Sequence, residues 1–286
     1  MQLTRIFSAL GSLAGFGLLA GNAAAKDVTL VKAGKAKVTI YSPIEGDAPK
    51  DEVKKDPGRA RLRASVDDLA HFLGKMSGAT VGISAGEPPD RPKTIPILIG
   101  ELGEKRFGPP SESSPFKQAF RVVVSKKAIA CIGESDEATS YAIYEILDRL
   151  GCRWYMPSEL GHVIPKMETI RLPEMDVSQI PVTVKRGIWY CGREYTRRNR
   201  LGGIYHFAAH GLEGWITDQE RKDHPDWNAE IRGKRAYAKH GRICWGNPEV
   251  AKAVAENISK RLKRYYSSCM TISPGDGMTF CQCAKC

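Results

Sequence analysis

Residues 131–165, CIGESDEATSYAIYEILDRLGCRWYMPSELGHVIP, read in order as a strand end, a capped helix, a second strand and a stop. Ser135 stands where an N-cap hydroxyl accepts from the first turn. Asp136 and Glu137 set negative charge against the helix N-terminus, and Arg149 with Gly151 closes the other end. Ala142, Ile143, Ile146, Leu147 and Leu150 recur at helical spacing on one stripe, while Thr139, Glu145, Asp148 and Arg149 point elsewhere. The pattern predicts a helix with one face buried against a sheet. Cys152 to Met156 (CRWYM) then runs without polar alternation apart from Arg153, as a strand covered on both faces would, until Pro157 stops it.

Upstream, the chain reads as partners for that helix. Val28 to Val31 and Ala36 to Tyr41 are β-like runs around Ala33-Gly34-Lys35, which suggests a hairpin. Pro43 to Gly58 is polar and belongs outside the core. Arg59 to Ser77 reads as a helix on the stripe Leu62, Val66, Leu69, Leu73 and Met76, with Gly78 just past its end; His71 lies between these positions as a packed or half-exposed residue. Thr94 to Gly100 is a short buried strand, followed by a polar, proline-rich loop. Phe120 to Val124 and Ala128 to Ile132 form a hairpin leading into the central helix. Hairpin, helix, strand, hairpin, helix, strand predicts an α+β sandwich, a sheet with helices on one side, over residues 27–175. Glu168 to Pro181 reads as a final strand and a linker bracketed by Pro173 and Pro181.

Past that linker, over residues 182–286, the composition changes. Trp189, Trp215, Trp227 and Trp245 all lie there, a density that suits sugar-stacking surfaces and folding cores alike. Val182 to Tyr190 is a strand by its pattern, and a loop with Arg193, Arg197, Arg198 and Arg200 follows. Asn247 caps a helix with Pro248 at its first position and a stripe of Val250, Val254, Ile258, Leu262 and Tyr265. Met270 to Ser273 is the next strand, and Pro274-Gly275-Asp276-Gly277 a turn. Strand, loop, helix, strand is the unit of a parallel α/β fold.

Two sets of motifs carry a family resemblance. YAIYEILDRLGCRWYMPSELGHVIP, preceded by IACIGES, resembles the non-catalytic α/β domain that precedes the barrel in α-glucuronidases and β-N-acetylhexosaminidases. HPDWNAEIRGKR, ICWGNPEV, SPGDG and the CxCxxC run, over residues 224–286, resemble a group of secreted bacterial proteins with a glycoside-hydrolase-like barrel, the DUF4838 family. The resemblance implies that residues 182–286 open a (β/α)8 barrel. A complete barrel takes about 250 residues, so the expectation is an incomplete barrel, the first two or three βα units of eight, on a truncated chain.

Asp276 is the first candidate contact to substrate, because residues at the carboxyl ends of barrel strands build the active site; the alternative is an Asx turn between two glycines. His206 and His210 sit four apart in HFAAHG. They lack the glutamate of zinc peptidases and are flanked by glycines, so a sugar-hydroxyl contact is preferred to zinc. Trp215 and Arg197 either join such a pocket or lie on the surface. Cys281, Cys283 and Cys286, with Cys269 on the preceding strand, fit disulfides or, less readily in an exported protein, a structural metal site. Three is an odd number, so at least one partner lies elsewhere, at Cys244, Cys269 or a position beyond the chain. Glycoside hydrolysis needs a carboxyl pair. No residue matches the motifs of the related enzymes, and Glu213, Asp218, Glu220, Asp223, Asp226, Glu230 and Glu249 are given no acid or base role.

Residues 1–25 carry Arg5, the apolar run Ile6 to Ala20 and a small-residue site at Ala23-Ala24-Ala25, the three parts of a signal peptide. The expectation is an exported protein, secreted or periplasmic, without stable membrane insertion after signal removal. The formal charge of +11 arises from 43 Lys and Arg against 32 Asp and Glu. No Lys/Arg run with interleaved aromatics accompanies it, which excludes nucleic acid as the expected partner. The charge solvates the surface or favours acidic partners such as uronate-bearing polysaccharides. The expected function is a glycoside-hydrolase-like protein acting on polysaccharide without cofactor, this chain catalytically incomplete. Alternatives are a non-catalytic carbohydrate or cell-envelope binder and a metal-stabilised extracellular module.

Overall fold

The computed structural model describes residues 26–183, 185–203, 206–207, 212–239, 241–264, 269–270, 272–273 and 280–286. The leader expected over residues 1–25 lies outside them.

The chain opens with β1 (Asp27–Lys32) and β2 (Lys35–Ala36), the expected hairpin in shortened form. The second run breaks off to become β3 (Val38–Ser42) of a different sheet. After a short α1 (Glu52–Lys55), α2 (Pro57–Ser77) starts two residues before its expected position, with the Asp56 side chain accepting from Arg59 N at 2.9 Å. β4 (Gly82–Ala85), β5 (Ile95–Ile99), α3 (Glu101–Phe107), β6 (Phe120–Val124) and β7 (Ile129–Gly133) follow. The central helix is α4 (Asp136–Arg149), and Ser135 caps it through Ala138 N at 3.2 Å.

Next come β8 (Arg153–Trp154), β9 (His162–Val163), β10 (Ile170–Pro173) and β11 (Met175–Gln179). The main sheet has six strands in the order β11-β6-β7-β5-β3-β4. β4, β3, β5 and β7 run parallel, β6 pairs antiparallel with β7, and β11 pairs antiparallel with β6. β10 leaves this sheet and pairs with β1, which ties the two ends of the segment together. The segment between Pro173 and Pro181 is thus an edge strand of the sheet as well as an exit.

One expectation is corrected. Helices cover both faces of the sheet. Ile97, Ile99, Ile129, Cys131, Val122 and Val124 join α2 and α4 in one core, while Leu98, Ala130, Ile132 and Val123 face the other way, with Leu102 and Phe107 of α3 packed on them. A Cβ on Gly103 would lie 2.9 Å from Ile132 Cγ1 and 3.1 Å from Ala130 Cβ. Glycine therefore lets α3 sit on the strands, and its polar sequence hid it as a loop.

Two strand readings also shorten. Cys152 to Met156 is not covered on both faces: β8 pairs only with β9, and Tyr155 and Met156 are exposed. Val182 to Tyr190 contributes β12 (Lys185–Arg186), paired with β13 (Gly202–Gly203). The arginine-rich stretch between them, read as a loop, is a helix, α5 (Arg193–Arg198).

The remainder holds β14 (His206–Phe207), α6 (Asp218–Asp223), the hairpin β15 (Glu230–Ile231) with β16 (Lys234–Arg235), α7 (Pro248–Arg264) and β17 (Cys269–Met270). β14 and β17 are parallel. Helix α7 lies between them in the chain, but the strand ahead of it is His206–Phe207 and not the expected Val182 to Tyr190. A small second core of Trp215, Ile216, Trp227, Ile243, Val250 and Val254 sits beneath α7.

Candidate functional site

Three clusters of chemistry-bearing side chains stand out. The first joins the two parts of the chain. Asp68 on α2 is buried and accepts from Tyr144 Oη at 2.7 Å, Arg197 Nη2 at 3.0 Å, and Arg198 Nε and Nη2 at 3.0 and 3.1 Å. Arg197 Nε also donates to Tyr144 Oη at 2.8 Å. The Arg198 guanidinium lies over the Phe72 ring, 4.9 Å from its centroid, and beside the Trp154 ring at 5.9 Å. Burial pushes the Asp68 carboxyl up, but hydrogen bonds from Arg198 and Tyr144 and the two guanidinium charges outweigh it, so the group sits below the ordinary carboxylate range.

The junction continues along α4. Arg61 donates to Ser140 Oγ at 2.8 Å and pairs with Glu137 at 3.3 Å, and Glu145, buried on the side of α4 expected to face water, pairs with Arg149 at 2.8 Å and with Arg200. Gly202 passes so close to α4 that a Cβ would fall 2.1 Å from Glu137 Oε1 and 2.6 Å from Tyr141 Oη. A sheet covers one side of α4, and α2 and this arginine layer cover the others.

The second cluster is a cleft of about 370 Å³ beside that junction, lined by Trp154, Met156, His162, Tyr190, Glu194 and Arg198 among others. Aromatic rings crowd its rim. Trp189 and Tyr190 stack with centroids 4.9 Å apart and are 77% and 89% exposed, and Tyr155 is 70% exposed. Tyr190 holds φ at 56°, in the left-handed region, which costs a residue with a Cβ roughly 1 kcal/mol. His162 titrates below its ordinary value because burial and the Arg198 charge both disfavour the imidazolium. Among the described residues lining the cleft, Glu194 is the single carboxylate, and it pairs with Arg198. A separate open depression of about 570 Å³ is lined by Lys32, Lys37, Lys93, Lys126 and Lys127 with Asp27.

The third cluster is the cysteine group. Cys244, Cys281, Cys283 and Cys286 place all four sulfurs within 4.8 Å of one another, and none of the four is in a disulfide. Burial raises the Cys283 thiol, but hydrogen bonds from Arg235 and Cys281 bring it down to about 6.

Of the residues proposed from sequence for substrate contact, Arg197 and Trp215 are described with their side chains, and they lie in different clusters. Arg197 is committed to Asp68 and Tyr144 at the junction. Trp215 is 4% exposed in the second core, with the Arg261 guanidinium over its ring at 5.1 Å and its carbonyl accepting from Asn257. Both therefore do structural work, in place of the open pocket role considered for them. His206 and Cys269 are described in backbone only, where they pair directly across β14 and β17. Asp276 and His210 lie outside the described residues. Sequence reading missed the Asp68 network, whose arginine partners lie 129 and 130 positions away, and the cleft, whose lining comes from separate stretches between Trp154 and Arg198; the run of arginines at 193–200 was the available signal.

Residues 156–286 match the family described as "Domain of unknown function (DUF4838)". No curated protein matches the chain. Among solved structures, a family GH115 4-O-methyl-α-glucuronidase with specificity for decorated arabinogalactans is 16% identical with a TM-score of 0.50, covering 86% of this chain and 42% of that one. A family GH20 exo-β-N-acetylglucosaminidase from Vibrio harveyi is 14% identical with a TM-score of 0.33, covering 83% of this chain and 33% of that one. The chain thus spans less than half the length of these structures. Among the described residues, no helix is long and apolar enough to cross a membrane. The protein has a mixed α/β fold similar to that of glycoside hydrolases, and its residues 156–286 match the DUF4838 model.

Proposed function

We propose that this protein acts on carbohydrate outside the cytoplasm, and that the described part of the chain contributes glycan binding. The observation that carries the reading is the exposed, stacked Trp189–Tyr190 pair at the rim of the junction cleft. Aromatic rings this exposed present apolar faces of the kind on which pyranoses stack. The fold likeness to an α-glucuronidase supports it, as does the basic surface, including the lysine-lined depression, which favours uronate-bearing chains over neutral ones. The signal-like residues 1–25 support export.

Binding, not cleavage, is assigned to the cleft. Acid/base hydrolysis takes two carboxyl groups at a set separation, and Glu194 is already neutralised by Arg198. The test is binding of the purified chain to immobilised glucuronate-bearing arabinogalactan and to a neutral glycan. The expected result is retention on the acidic glycan that weakens with salt and falls about fivefold in each of Trp189→Ala and Tyr190→Ala, since a stacked ring contributes about 1 kcal/mol. Retention on neither glycan, or retention indifferent to both substitutions, would overturn the reading. Cell fractionation, with N-terminal sequencing of the recovered protein, checks export.

A further inference from the structure

We infer that Cys244, Cys281, Cys283 and Cys286 form a structural zinc site that pins residues 280–286 to the loop ahead of α7. This stands independently of glycan binding.

The geometry points to metal. Zn–S bonds of about 2.3 Å at tetrahedral angles set the sulfurs about 3.8 Å apart. Cys244 Sγ lies 3.6 Å from Cys283 Sγ and 3.7 Å from Cys286 Sγ, and the whole set closes within 4.8 Å. A disulfide bond is about 2.05 Å long, and pairing these sulfurs two by two would collapse a cluster that is built as four.

The surroundings fit thiolates. Glu230 N donates to Cys281 Sγ at 3.3 Å and Gly246 N to Cys286 Sγ at 3.1 Å, the outer contacts that orient metal-bound sulfur. Arg235 lies against Cys244 and Cys283 and offsets the dianion that four thiolates and one Zn²⁺ make. On binding, each protonated thiol gives its proton to solvent and no electron moves. All four positions are filled by protein, which makes the site structural and leaves no open place for catalysis.

The site also explains a backbone approach. Gly246 meets Lys285 so closely that a Cβ would lie 2.8 Å from its backbone, and Gln282 N donates to Glu230 O at 2.8 Å. The strip 281–286 is thereby held against both the β15–β16 hairpin and the α7 N-terminus, neither of which supplies it an apolar core.

The test is elemental analysis of the untagged full chain, purified without reductant, with zinc displaced by cobalt in a second sample. The expected results are one zinc per chain and, with cobalt, the thiolate charge-transfer and visible bands of a tetrahedral sulfur site. Cys244→Ser and Cys283→Ser should each weaken zinc retention against a competing chelator on the order of 100-fold or more, since loss of even an outer-shell partner costs 10–100-fold. Cys191→Ser, outside the cluster, should not. Absence of metal with the four cysteines recovered as two disulfides in intact-mass and peptide analysis would overturn the site, as would zinc content indifferent to Cys283→Ser. If the serine variants fail to fold, the cobalt spectrum and thiol count of the unaltered chain decide alone.

Discussion

Asp68 shows what a single buried charge does for this protein. Its carboxylate lies under two guanidinium groups and a tyrosine hydroxyl, all within 3.1 Å. Removing one member of such a set leaves the others buried without a partner, which costs about 3–5 kcal/mol. Asp68→Ala should therefore lower stability by that order, read from urea unfolding at neutral pH; a loss under about 1 kcal/mol, the worth of an exposed pair, would show that the network is solvated. The pH dependence follows from the direction of the shift. Asp68 titrates lower folded than unfolded. Its contribution is thus complete above the unfolded carboxylate value, about 3.9, and is lost as pH falls through the folded value. The gap between wild type and Asp68→Ala should stay constant from neutrality down to that point and close below it. Arg197 and Arg198 were legible in the sequence as charge, but nothing local ties them to an aspartate 129 and 130 residues away.

Among the elements, α4 was the most legible and α3 the least. Helix α4 carries its cap, its first-turn acids and its stripe in one unbroken run, so the observed Asp136–Arg149 matches the expected start and end. Its second buried side escaped notice because Glu145 looks solvated until Arg149 and Arg200 close over it. Helix α3 is seven residues long, too short to show a period, and its contact with the sheet depends on the missing side chain of Gly103. Gly103→Leu should force the helix off Ile132 and Ala130 and cost about 1–3 kcal/mol, as overpacking does, with the shift seen in the thermal midpoint. An unchanged midpoint would mean that α3 does not rest on the strands as described.

At the scale of the whole molecule, the arginine layer ties α5 to the α2–α4 pair, and coupling of the two cores through it is a prediction that calorimetry tests. Wild-type protein should unfold in one calorimetric transition, and Arg197→Ala with Arg198→Ala should split it into two, the lower one belonging to the part with the smaller core. A single transition in the double variant would place the coupling elsewhere. The sequence alone determined the helices α2, α4 and α7 and the strands of the main sheet from β5 to β7. Each of these is written in residues within one or two turns of each other, where spacing and caps act directly. Only the tertiary structure decided that α3 covers the second sheet face, that Arg197 and Trp215 are packing residues, that an aromatic cleft opens at the junction, and that Cys244 completes a four-sulfur cluster with residues 281–286. Those arrangements join separate stretches of the chain, Cys244 to Cys286 across 42 positions and Asp68 to Arg198 across 130. Their energy resides in burial and charge pairing that exist only once the chain has closed, and no local pattern records them.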